Sequence, residues 1–139
     1  MNVKLSELID GLEMVSSDSS IIYNTESGEF IYFYEFDSDY DEEDFYGDEY
    51  IYLPSQYDIN EVTIMEEFAQ GLEKVNMRNG LLGCLHRKGM YRMFKDKLYD
   101  YGIQEKYFEF YREKLKEIAI VWCNENNLKY EEKEEMPNK

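Results

Sequence analysis

Asp37-x-Asp39-x-Asp41 opens with the spacing of a calcium loop, and Asp48 stands at the twelfth position. The remainder argues against a hard-cation site: Glu42 occupies the sixth position, where the sharp turn needs glycine, and Asp48 replaces the expected bidentate glutamate. Asp37–Glu49 is therefore read as a solvated acidic loop, and no metal or other cofactor is expected. A second cluster is basic. Arg87, Lys88, Arg92 and Lys95 are the densest group of cations, with Asp96 directly after them. Lys88, Arg92 and Lys95 would share one helical face if a helix ran through Gly89, an arrangement that could hold an anion beside Asp96 as a base. The plainer explanation is that these cations pair with the acidic half of the same chain or of a second subunit. Tyr91 could stack on a base, but it shares helical spacing with Phe94, Leu98 and Tyr101, which places it in a core.

The chain has one histidine and two cysteines. His86 sits beside Arg87 and Lys88 and reads as a surface residue at a helix end. Cys84 and Cys123 lie in apolar helical patterns with no metal-ligand spacing, so both read as reduced core thiols, and Cys123 after Trp122 is expected to be inert. No catalytic residue is assigned.

The elements that must position these residues follow from periodicity. Leu8, Ile9, Leu12 and Val15 mark one face of a first helix with Ser6 as its N-cap. Ile21–Tyr23 and Phe30–Tyr34 flank the turn-forming Asn24–Gly28 as a hairpin in which Gly28 takes a positive φ, and Tyr50–Leu53, stopped by Pro54, is a third strand. Asp58 and Glu61 have capping-box spacing before Ile64, Met65, Phe68 and Leu72. Three further helices fit residues 77–88, 90–101 and 104–127, with Gly89 and Gly102 as C′ glycines of Schellman endings. The last has Tyr107, Phe108, Tyr111, Leu115, Ile118, Ala119 and Trp122 as its apolar stripe, and Glu113 and Lys116 spaced to pair outside it. The fold class is α+β: a small antiparallel sheet of about three strands in the N-terminal half, packed with about five helices, mostly C-terminal. One domain is expected over residues 1–130, with 131–139 a disordered acidic tail.

Charge is divided along the chain. Residues 1–73 hold 20 Asp and Glu against Lys4 alone, whereas residues 74–128 hold 11 Lys and Arg against 7 acids, within a total of −16. Such a balance argues against a protein whose main task is gripping phosphate backbones, and nucleic acid is an unfavoured partner. The N-terminus enters an amphipathic pattern without a signal-type apolar stretch, and the longest apolar run, Ile118–Cys123, is far too short to span a bilayer. A cytoplasmic protein without membrane contact is the expectation.

Gly89-Met90-Tyr91-Arg92-Met93-Phe94-Lys95-Asp96, then Gly102-Ile103, Tyr107-Phe108-Glu109-Phe110 and Ile118-Ala119-Ile120-Val121-Trp122-Cys123, resemble a bacterial family of uncharacterised proteins, UPF0158. Leu8–Met14, Thr25–Glu29, Leu53–Ile59 and Met65–Phe68 add to the likeness, which covers roughly residues 3–130. The resemblance implies a shared fold and brings no assigned activity.

The 14 tyrosines include two pairs, Tyr32 and Tyr34, Tyr50 and Tyr52, at the even spacing that puts each pair on one sheet face. Tyrosine suits surfaces that are partly buried and partly wet, which favours a non-enzymatic cytoplasmic binding or regulatory module meeting a protein partner or a second copy of itself. Two competing readings use the Arg87–Lys95 segment: a small enzyme acting on an anionic, phosphorylated substrate, and a weak nucleic-acid binder.

Overall fold

The computed structural model describes residues 2–34 and 41–132. In chain order the elements are β1 (Val3–Lys4), α1 (Leu5–Met14), β2 (Ser19–Asn24), β3 (Phe30–Tyr34), a 3-10 turn (Glu42–Phe45), β4 (Tyr50–Tyr52), α2 (Gln56–Ile59), α3 (Glu61–Gln70), α4 (Val75–Leu82), α5 (Met90–Tyr101), α6 (Gln104–Glu125) and β5 (Tyr130–Glu131). The class is α+β, with the three-stranded antiparallel sheet in order β3-β2-β4 and the helices mostly C-terminal. The chain gathers into two compact units: unit 1 comprises residues 1–59 and 115–139, and unit 2 comprises residues 60–114. α6 thus contributes residues up to Lys114 to unit 2 and from Leu115 onward to unit 1.

In unit 1, β2 is the central strand, and Ile21, Ile22 and Tyr23 are all buried because strand neighbours alternate faces and both faces are covered. The hairpin forms as its turn chemistry dictates. Asn24 Oδ1 accepts from the Glu26 and Ser27 N–H groups at 2.8 and 3.2 Å, and Gly28 sits at φ 77. α1 packs on the sheet at Gly11, where a Cβ would stand 3.5 to 3.6 Å from Leu53, Ile21 and Tyr32, ordinary contact distances that leave room for a methyl group. The expected N-cap at Ser6 is not formed. β1 pairs in parallel with β5, with Val3 N–H donating to Lys129 O at 2.8 Å, so the chain passes from a strand directly into α1 at an extended Lys4. Glu131, the first residue of the expected tail, is part of that strand, and Glu132 pairs with Lys116 at 3.3 Å; residues 133–139 lie outside the described residues.

Part of the acidic run is structured. Asp41 and Asp44 cap the 3-10 turn reciprocally, and the turn buries Phe45 edge-on against Phe33 and Tyr50. An aromatic in the middle of the run thus anchors a stretch read from its charge as wholly solvated. Asp37 and Asp39 lie outside the described residues.

Unit 2 packs α3, α4, α5 and the first part of α6 around Met65, Phe68, Leu81, Phe94, Leu98, Ile103 and Tyr107. Gly102 ends α5 as expected, at φ 70, with its own N–H reaching Tyr99 O and the Ile103 N–H reaching Leu98 O, both at 3.0 Å. Gly89 is also left-handed, at φ 76, but it begins α5. α4 has already stopped at Leu82, capped by Gly83, whose N–H donates to Asn79 O at 2.9 Å. The capping box also sits one step earlier than its spacing suggested: Ser55 and Asp58 satisfy each other's N–H groups at the start of α2, and α3 starts after a left-handed Asn60.

Candidate functional site

The strand β4 runs into Leu53 and Pro54, and opposite them, within unit 1, stand the last three turns of α6. Trp122 ties the two: its indole Nε1–H donates to Tyr52 O at 2.9 Å, and its ring meets Tyr23 edge-on with centroids 6.1 Å apart. Between them lies a cleft of about 690 Å³. Its apolar lining is Ile51, Leu53, Pro54, Ile118, Val121 and Trp122, and its polar groups are Asp58, Glu117, Glu125 and Asn126. Among the described residues, the lining contains three carboxylates and no lysine or arginine. Asp58 is held by Ser55, whose N–H and hydroxyl both donate to Oδ2, and Asn126 Nδ2 donates to Trp122 O at 2.8 Å. Val121 is 52% exposed and Tyr52 41%. The size is that of a pocket for a small ligand or a few side chains, and the chemistry is an apolar floor with an anionic rim.

This cleft escaped the sequence reading, which placed Ile118 and Trp122 in a core stripe. The available signal was the bracketing Glu117-Ile118-x-x-Val121-Trp122-x-x-Glu125, in which carboxylates eight residues apart flank apolar residues at helical spacing. Trp122 itself is buried, as expected. Phe108, expected in the stripe, is 53% exposed, because it lies one residue and about 100° around the helix from the buried Tyr107.

The residues singled out from sequence lie in unit 2. Arg87 and Lys88 are in the turn before α5 and Arg92, Lys95 and Asp96 on α5, all exposed. The left-handed Gly89, preceded by a left-handed His86 at φ 63, prevents Lys88 from continuing the helical face of Arg92 and Lys95. Arg87 Nη1 donates to Gly83 O at 3.3 Å. Tyr91, expected in the core, is 46% exposed, while Phe94 and Leu98 are buried. Tyr107 is the most strongly perturbed group of this unit. Burial, then the charge and hydrogen bond of Glu61, whose Oε2 accepts from the Tyr107 hydroxyl at 3.2 Å, hold the phenol protonated far above its ordinary range. Cys123 in unit 1 is fully buried and its thiol is pushed up to about 11 by that burial, so at neutral pH it is no nucleophile.

Among the described residues, no group of three or more His, Cys, Asp or Glu could hold a metal ion, and no helix is long and apolar enough to cross a membrane. No curated protein and no solved structure matches the chain. A family model matches residues 2–139, so the protein belongs to the uncharacterised protein family UPF0158.

Proposed function

We propose that this chain is a non-enzymatic binding or regulatory module of the cytoplasm that engages a protein partner through the cleft of unit 1. The observation that carries this reading is the lining of the cleft, in which Ile118, Val121 and Trp122 form an apolar floor and Asp58, Glu117 and Glu125 an anionic rim. A cationic amphipathic segment fits such a surface: its apolar side chains leave water on the floor, and its lysines or arginines meet the carboxylates. Phosphorylated substrates are disfavoured there by like charge. The alternative placement of an anion on Arg87, Lys88, Arg92 and Lys95, with Asp96 as base, is weaker. Those side chains are exposed and divided between a turn and a helix, whereas catalysis asks for convergent groups shielded from water. Two free, buried cysteines suit a reducing compartment.

The test is a titration of the isotope-labelled protein with a synthetic helical peptide of lysine and leucine at amphipathic spacing, followed by amide chemical shifts. Shifts concentrated at Ile51–Leu53 and Ile118–Asn126 are expected. Their absence up to about 1 mM peptide, corresponding to a binding free energy weaker than about −4 kcal/mol, would defeat the reading.

A further inference from the structure

We propose that the occupant of the cleft is the exposed face of α5 in a second copy of this chain. The inference rests on the binding reading above and names its partner. α5 buries Phe94 and Leu98 in unit 2, and its exposed side presents Arg92, Lys95 and Tyr99 at successive spacings of three and four. Tyr99 is 69% exposed, and neither Arg92 nor Lys95 makes an ion pair among the described residues. Asp96, four residues from Arg92 and three from Tyr99, lies on the same exposed side, and Asp100 follows it. The surface therefore offers an aromatic ring and two long aliphatic stems that end in positive charge beside the carboxylate of Asp96; the ring and stems suit the apolar floor, and the two cations suit the carboxylate rim.

The charge distribution favours this pairing over other homotypic ones. Unit 2 holds ten Lys and Arg against nine Asp and Glu, so the −16 of the chain resides almost wholly in unit 1. Bringing unit 1 of one copy to unit 2 of another avoids the repulsion that two acidic units would meet, and it places local opposite charges together. The contact is heterologous, joining two different surfaces. It closes into a dimer where both copies exchange α5 reciprocally, and it continues as a chain of subunits where they do not.

Sedimentation and light scattering of the full chain test the proposal, from about 5 to about 500 µM where mass action reveals weak association. A salt concentration of about 0.15 M limits the screening length to about 8 Å, which removes the long-range repulsion between acidic copies and spares contacting pairs. The mass is expected to rise with concentration above the 16.8 kDa of one chain. Arg92→Glu with Lys95→Glu on α5, and separately Val121→Glu on the cleft floor, should each weaken association about tenfold or more. All three sites are exposed, and circular dichroism verifies folding. An equimolar mixture of the two variants should associate better than either alone, because each retains the surface that the other lacks. A monomer at every concentration, or association indifferent to both variants, overturns the proposal. If the monomeric chain still takes the lysine-leucine peptide at the cleft, the second copy is the wrong occupant and the binding reading stands. If the peptide fails as well, both fall.

Discussion

Trp122 belongs at once to the core of unit 1 and to the wall of the cleft. Trp122→Ala removes the edge contact with Tyr23 and the hydrogen bond to Tyr52 O, and chemical denaturation should show a loss of about 3–5 kcal/mol. A loss under about 1 kcal/mol would contradict its place in the core. Trp122→Phe keeps a ring and should cost about 1–2 kcal/mol, the hydrogen bond together with a smaller side chain. The cysteines make a second residue-scale prediction. Cys84 and Cys123 are both buried, so a thiol reagent at pH 8 should label neither in the native protein and both after unfolding; rapid native labelling would contradict the burial of the thiols. Trp122 and Cys123 were legible as core from the helical spacing of α6. The link from Trp122 to Tyr52 was not, because it joins residues 70 apart and depends on where β4 ends.

Elements set by local chemistry were the readable ones. The hairpin followed from Asn24 and Gly28, and the end of α5 from Gly102 and Ile103, since in each case neighbouring residues supply the hydrogen bonds. Two kinds of feature were hidden. Ser55-x-x-Asp58 and Asp58-x-x-Glu61 overlap as capping patterns, and only the placement of the one-turn α2 selects the first. The pairing of β1 with β5 joins the ends of the chain over two residues, so it leaves no alternation to detect. Two glycines separate the effects involved. Gly102→Ala forces a Cβ into φ 70 and should cost about 1 kcal/mol in stability. Gly11→Ala lies inside α1 with only ordinary contacts awaiting its Cβ, and should raise stability by about 0.5–1 kcal/mol. Thermal unfolding of both variants checks the pair; a destabilised Gly11→Ala would mean that α1 and the sheet fit more tightly than these distances imply.

For the whole molecule, composition revealed the division of charge, and the fold turns that division into a nearly neutral unit 2 and an acidic unit 1. Stability should also carry a mark of the buried and half-buried tyrosines. Tyr107, Tyr23 and Tyr32 all have phenols raised above the ordinary 10.0, burial being the largest cause in each. A raised phenol contributes stability that is complete below pH 10 and is lost above it, as the unfolded chain releases protons that the native state retains. Urea midpoints should therefore fall above about pH 10, less steeply in Tyr107→Phe; an equal slope in that variant would remove Tyr107 from the explanation.

The central claim is that the cleft of unit 1 binds, and the chain's one tryptophan lines it. The most direct measurement is the fluorescence of Trp122 as the cationic lysine-leucine peptide is added at about 0.15 M salt, in the native chain and in Val121→Glu. A saturable spectral change in the native chain, weakened about tenfold or more in the variant, is the expected result. An emission spectrum that the peptide leaves unmoved, or one that saturates identically in both proteins, would contradict it.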